Sequence, residues 1–158
     1  MSDLLLIIVD GDNVAHRRGG DPSRMRDDLI TDISNYAEQT GCDVAVVFDG
    51  HGRDIAVGRV RVRFAGAESA DTIIERLAHR SSIDRPVTVV SSDTVLRHVA
   101  ARGEVEAMSA REFADRLAAA PRPSATVHPR VRYQLGDALD PATRAVMERI
   151  RRGGKSGP

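Results

Sequence analysis

The sequence predicts a three-layer α/β fold on a mainly parallel sheet of about five strands, and three observations predict it. Short strand-like segments at residues 4–9, 43–48, 59–64, 86–90 and 105–108 alternate with longer segments of helical periodicity, the pattern of a parallel sheet covered by helices. The first run, LLLIIV, is apolar throughout, as expected of a central strand buried on both faces. Finally, the runs end in acid: Asp10, Asp12 and Asn13 follow the first, Asp49 the second and Asp93 the fourth. In open α/β sheets the carboxyl ends of the strands form the crevice in which ligands bind.

At 158 residues the chain suits one domain with a sizeable core. Hydrophobic residues at 41% and charged residues at 29% describe a soluble globular protein; aromatics at 3% require a core of Val, Ile, Leu and Ala. Cys42 is the single cysteine, which excludes an internal disulfide and a cysteine-built zinc site and fits a reducing cytoplasm. Met-Ser-Asp lacks the basic region of a signal peptide, and the longest apolar run is too short for a bilayer, so no membrane partner is expected. With 23 basic and 23 acidic residues the net charge is zero, and only the distribution of charge can speak for a polyanionic partner.

In chain order, Asp21 and Pro22 open a helix running to about Thr40, with Met25, Leu29, Ile30, Ile33, Tyr36 and Ala37 at helical spacing and Gly41 ending it. A strand at 43–48 leads into a loop of Gly50, His51 and Gly52. Residues 59–64 alternate Arg59, Arg61 and Arg63 with Val60, Val62 and Phe64, which predicts a strand at or near the sheet edge with one solvated face. Too few residues separate it from Asp49 for a crossover helix, so its direction stays open. A helix over about 69–80 carries Ala70, Ile73, Ile74 and Leu77 on one face. Glu68, Asp71 and Glu75 share another if helical geometry reaches back to Glu68. The strand at 86–90 is followed by a helix over 93–101 and the strand at 105–108. Ser109 and Glu112 make a capping box for a helix bearing Phe113 and Leu117. The domain is expected to span 1–120. Beyond it come a Pro-rich linker, a last helix from Asp140-Pro141 bearing Val146, Met147 and Ile150 and packing on the same domain (121–152), and a disordered tail at 153–158.

A parallel sheet brings Asp10, Asp49, Asp71 and Asp93 to one edge, although they lie far apart in sequence. Carboxylates crowded in a crevice repel one another unless a cation neutralises them. Oxygen-only ligands favour Mg²⁺ or Mn²⁺, ions that activate water and stabilise charge developing on a phosphodiester. Asn13 is placed to orient water or a phosphate oxygen. Each acid also has a structural role open to it: Asp49 as a turn residue before Gly50, Asp71 as a first-turn carboxylate, Asp93 as a helix cap. Asp12 fits solvent or the rim of the site. Ser91 and Ser92 suit capping or a hydrogen bond to a site carboxylate. Arg17, Arg18, His51, Arg53, Arg59, Arg61 and Arg63 are candidate phosphate contacts, with an ordinary solvated face as the alternative for the arginine stripe.

The pieces LLLIIVDGDN (4–13), VAVVFDG (44–50), RVRFAGAESADTIIERL (61–77), VTVVSSD (87–93) and AMSAREF (107–113), in this order and spacing, resemble the NYN (YacP-like) nuclease family, a branch of the PIN-like nucleases. The resemblance covers roughly residues 3–118. It implies a PIN-like α/β/α fold and metal-dependent cleavage of RNA, in some members on the ribosome. It places the acidic metal site on Asp10, Asp49, Asp71 and Asp93 with Asn13 beside it, and Glu68 and Ser91 at flanking positions. The chain departs from the family at Asp12, where an aromatic residue is common, and in its short connection after Asp49.

The expected function is a Mg²⁺- or Mn²⁺-dependent endoribonuclease acting on RNA, including ribosome-associated mRNA. Two rivals remain at this point. Asp10-Gly-Asp12-Asn-Val14 imitates the opening of a haloacid-dehalogenase-type phosphatase, although the lysine that chemistry uses has no counterpart outside Lys155 in the tail. A non-catalytic module binding RNA or the ribosome would keep the fold without turnover.

Overall fold

The computed structural model describes residues 4–102 and 105–122. The elements run β1 (Leu6–Asp10), α1 (Gly11–Arg18), α2 (Met25–Thr40), β2 (Asp43–Phe48), β3 (Ile55–Val57), β4 (Val60–Phe64), α3 (Ala70–Ser81), β5 (Val87–Val90), α4 (Thr94–Ala100), β6 (Val105–Met108) and α5 (Ala110–Ala119). They build one sheet in the order β3-β4-β2-β1-β5-β6. β1 is central and pairs in parallel with β2 and β5; β4 and β6 continue the parallel set outward.

Alternation along the strands divides the core. Ile7 and Val9 of β1, with Val44, Val46 and Phe48 of β2, face a layer made by α1, α2 and α5. Ile8, Ala45, Val47 and Val89 face α3 and α4 through Ile73, Ile74, Ala78 and Leu96. β1 and β2 therefore bury both faces, which is why their sequences are continuously apolar. Tyr36 and Phe113 meet edge to face, with centroids 5.5 Å apart, and join α2 to α5.

The third expected strand, now β4, runs parallel to β2, with the antiparallel β3 as its outer neighbour. β3 carries the chain back across the sheet and Gly58, at φ +56°, turns it into β4, so no helix is needed in the short connection. This sixth strand has the sequence IAV, too short to announce itself by periodicity. Helix α1 was likewise not expected; Gly11, Asp12 and Asn13 are poor helix formers, and it is Asp10 that caps it. Helix α2 begins at Met25 rather than Pro22, because Asp21 folds residues 21–23 into a turn by accepting from the Ser23 amide and hydroxyl. Leu77 is only partly buried, and Ala78 takes its place in the core.

At the amino edge of the sheet Asp43 accepts from Arg59 Nη1 (3.3 Å) and Arg85 Nη2 (2.9 Å), while Arg85 Nε donates to the Leu4 carbonyl (2.8 Å). This side is a structural clasp. The beginning of the expected linker lies on α2, where Pro121 accepts from Asn35 and Arg122 reaches Asp32. The expected last helix and tail lie outside the described residues. Among the described residues no helix is long and apolar enough to cross a membrane.

The first residue of α1 sets a packing limit. A Cβ on Gly11 would stand 2.7 Å from Phe48 Cδ1 and 2.9 Å from Val46 Cγ1, both buried. Gly11→Ala is expected to cost about 1–3 kcal/mol of stability by overpacking. Phe48→Leu in the same chain should return part of that loss. Urea unfolding of the two single variants and the double variant checks this, and additive losses would show that the two sites do not press on each other.

Candidate functional site

The carboxyl edge of the sheet gathers the acids. β2, β1 and β5 are consecutive neighbours, so Asp49, Asp10 and the Ser91–Asp93 turn follow strand ends spaced about 4.8 Å apart. Asp10 forms the floor, with 4% of its surface exposed. Asp93 is half-buried, and Asp49 and Asp71 lie exposed at the rim. Helix α3 starts on this same edge because it follows the carboxyl end of β4, and this brings in Asp71 from its first turn.

Each acid is oriented by local hydrogen bonds. Asp10 accepts from the Asn13 amide N–H (3.3 Å) and from Asn13 Nδ2 (2.5 Å). Asn13 Nδ2 also reaches Ser91 Oγ at 3.4 Å, and the fully buried Ser91 hydroxyl accepts from the Asp93 N–H at 3.0 Å. Asp93 in turn accepts from the Leu96 N–H in α4, and Asp49 Oδ1 accepts from the Ala70 N–H at the start of α3. Asn13 is thus a strut between β1 and the turn after β5. Among the described residues Asp71 has no hydrogen-bond or ion-pair partner.

Electrostatics link the four. Burial pushes Asp10 up to about 6; the Asn13 amide opposes the shift, and the charges of Asp71 and Asp12 add to it. Asp71 is raised first by burial, then by Asp93 and Asp49. Asp71 is therefore the carboxylate that feels all three others. Among the described residues no three His, Cys, Asp or Glu side chains are grouped so as to hold a metal ion in the present rotamers. The donor chemistry nevertheless fits a hard divalent cation: the donors are carboxylate oxygens with lone pairs beyond those used in capping, and their mutual repulsion is what such an ion relieves.

The other candidates divide. Ser91 joins the network, whereas Ser92 is exposed and Asp93 itself caps α4. Glu68 precedes the helix, because Ser69 is the cap of α3, so the expected arc with Asp71 and Glu75 does not form. Its carboxylate is bound by Arg76 at 2.6 Å and held below its ordinary value by that bond. Asp12 is half-buried between solvent and the acids: it accepts from Arg26 and from the Asp49 N–H, and its charge adds to the rise of Asp10. Among the basic residues, Arg17, His51 and Arg53 are exposed, and Arg18 is paired with Asp32. The arginine stripe is split. Arg59 sits at the opposite edge in the Asp43 clasp, Arg61 is exposed mid-strand, and Arg63 lies near the carboxyl edge, 4.0 Å from Asp54.

Arg26 and Phe48 had no sequence signal as site residues. Arg26 lies in a charged stretch at the start of α2, yet its guanidinium stands 4.7 Å over the Phe48 ring, immediately before Asp49. The scarcity of phenylalanine, three in the chain, was the available clue.

The model of the YacP-like NYN domain family matches residues 7–152. Two crystal structures of Rae1 (YacP) from Bacillus subtilis are similar to this chain. One is 31% identical, with a TM-score of 0.60 and 96% of each chain covered. The other, a point mutant of the same protein, is 26% identical, with a TM-score of 0.62, covering 92% of this chain and 98% of that one. No curated protein sequence matches. With nearly its whole length matched by one family model and the sheet-edge acids in place, the chain belongs to the YacP-like NYN domain family, a branch of the PIN-like nuclease domains.

Proposed function

We propose that this chain is an endoribonuclease that hydrolyses RNA phosphodiester bonds with Mg²⁺ or Mn²⁺ held among Asp10, Asp71 and Asp93, Asp49 assisting. The observation that supports it most is the position of Asp71 at the rim beside the other acids: its carboxyl is raised first by burial and then by Asp93 and Asp49, and its charge adds to the burial that raises Asp10, at the ligand-binding edge of the sheet. When bound, the ion supplies Lewis-acid stabilisation of the charge developing on the phosphodiester.

The chain's own residues do the rest. Asn13, tied to Asp10 and Ser91, fixes the Asp10 carboxylate rather than carrying water on its amide nitrogen. The Ser91 hydroxyl sets the turn that presents Asp93. Asp71, exposed at the rim and without a hydrogen-bond or ion-pair partner among the described residues, would share the ion through one oxygen and keep the other for the proton of an attacking water. In-line attack forms a new P–O bond and breaks the bond to the 3′ oxygen, leaving 5′-phosphate and 3′-hydroxyl ends. Arg63, His51 and Arg53, near the same edge, are suited to the RNA backbone. Ribosome-associated mRNA is the target class that the family resemblance suggests. A phosphatase built on Asp10 and Asp12 is disfavoured: its acid/base would be Asp12, whose two oxygens are engaged by Arg26 and the Asp49 N–H.

Incubation with total RNA and with ribosomes, with and without chelator, followed by mapping of the ends, tests the reading. Cleavage that survives chelation, or 2′,3′-cyclic phosphate ends, would overturn it. Asp71→Asn should leave the fold intact and slow cleavage by about 10²-fold or more.

A pH dependence follows from Asp10. Its value in the folded chain, about 6, lies above the ordinary 3.8, so folding favours the protonated form. That contribution is complete below about pH 4 and is lost as pH rises through about 6, up to roughly 3 kcal/mol. Urea unfolding in chelator between pH 4 and 8 should show this decline in the wild type and not in Asp10→Asn. Mn²⁺, which binds the ionised form, should raise the wild-type midpoint more at pH 8 than at pH 5.

A further inference from the structure

Asp12 stands where the resemblance leads one to expect an aromatic residue, and its surroundings give it a distinct task. Its Oδ2 accepts from the Asp49 N–H at 2.9 Å. Its Oδ1 accepts from Arg26 Nη2 at 2.9 Å and Nε at 3.2 Å, and Arg26 Nη2 also reaches the Asp49 carbonyl at 3.4 Å. The donor and the acceptor of the Asp49 main chain are thus both held by one ion pair. The Arg26 guanidinium rests on Phe48, 4.7 Å from its centroid, and Phe48 is seated against Gly11, next to Asp12 in the chain. Beyond this grip the Asp49 carboxylate reaches the Ala70 N–H, and the chain leaves through Gly50 at φ +89°.

We propose that Asp12 and Arg26 are a positioning pair that holds the Asp49 main chain so that its carboxylate stays beside Asp71 and contributes to cation binding. The proposal rests on the nuclease reading above. Three arguments carry it. Both oxygens of Asp12 are already engaged, one of them by a guanidinium, so an ion bound there would meet a fixed positive charge; Asp12 supports a ligand and is not one itself. The pair is partly exposed, with 45% and 22% of the Arg26 and Asp12 side chains accessible, and such pairs add little to stability, so fold maintenance does not account for it. Finally, an unpaired arginine at this position would compete with a cation for Asp49. Asp12 cancels that charge and leaves the directional hydrogen bonds.

The test is a mutant cycle with Asp49, read by Mn²⁺ binding in the absence of RNA (free Mn²⁺ counted by electron paramagnetic resonance) and by cleavage rate against Mn²⁺ concentration. Asp12→Ala and Arg26→Ala should each weaken Mn²⁺ binding by about 10-fold, the usual effect of removing a support behind a metal ligand. Most of the rate should return at saturating Mn²⁺. In an Asp49→Ala background neither substitution should weaken binding further. Arg26→Lys, which keeps the charge without the planar fork, should behave like Arg26→Ala. Mn²⁺ affinity unchanged in Asp12→Ala, or losses that multiply with Asp49→Ala, would overturn the proposal while leaving the nuclease reading in place. A wild type that binds no Mn²⁺ would overturn both.

Discussion

A carboxylate buried among like charges is the constraint around which this molecule is built. Asp10 is buried at the end of the central strand, and Asp49, Asp71 and Asp93 converge on the same edge. The fold tolerates this by aiming helix starts at them: Asp10 caps α1, Asp93 accepts from α4, and Asp49 accepts from the first amide of α3. A helix terminus relieves a carboxylate by about 0.3–1 kcal/mol. The shift of Asp10 to about 6 corresponds to roughly 3 kcal/mol against ionisation. That shift is the balance left after the Asn13 cap bond, with burial its largest cause and the charge of Asp71 adding to it, so ionising Asp10 needs relief beyond its helix cap.

Topology separates holding from working. At the amino edge Arg59 and Arg85 converge on Asp43 and lock the starts of three strands and the chain entry at Leu4. At the carboxyl edge the same strands release their acids into loops and helix caps. The small antiparallel β3 makes this possible on the β4 side, since it returns the chain without a helix and leaves the Asp49 turn open to Arg26 and Asp12.

Much of the frame was legible in the sequence, because burial on both faces writes continuous apolar runs. β1, β2 and β5 could be read from them, β4 from its strict alternation, and helical spacing gave α2, α3 and α5. That Asp10, Asp49 and Asp93 share one edge followed from parallel topology, whereas Asp71 joins them because β4 runs parallel to β2, a direction the sequence leaves open. What stayed hidden was set by contacts distant in sequence. Helix α1 depends on a cap by Asp10 and on packing under Phe48, not on propensity; β3 exists only as a partner for β4. Glu68 joins Asp71 and Glu75 only if helical geometry reaches back to it, and the helix stops at the Ser69 cap one residue short; Arg59 falls outside the stripe because period-2 alternation does not say which end of a strand a residue occupies. Arg26 could not be seen: nothing in its neighbourhood foretells that Asp12, fourteen positions earlier, turns toward it.

The central place of β1 also bears on how the chain is made. Leu6–Asp10 leaves the ribosome well before its neighbour on one side, Val87–Val90, which lies roughly 80 residues later, a delay on the order of 10 s at ordinary synthesis rates. Throughout that interval a strand buried on both faces has one ladder unfilled. Nascent chains of this protein thus carry a sticky edge until β5 emerges, the segment whose arrival ends the exposure.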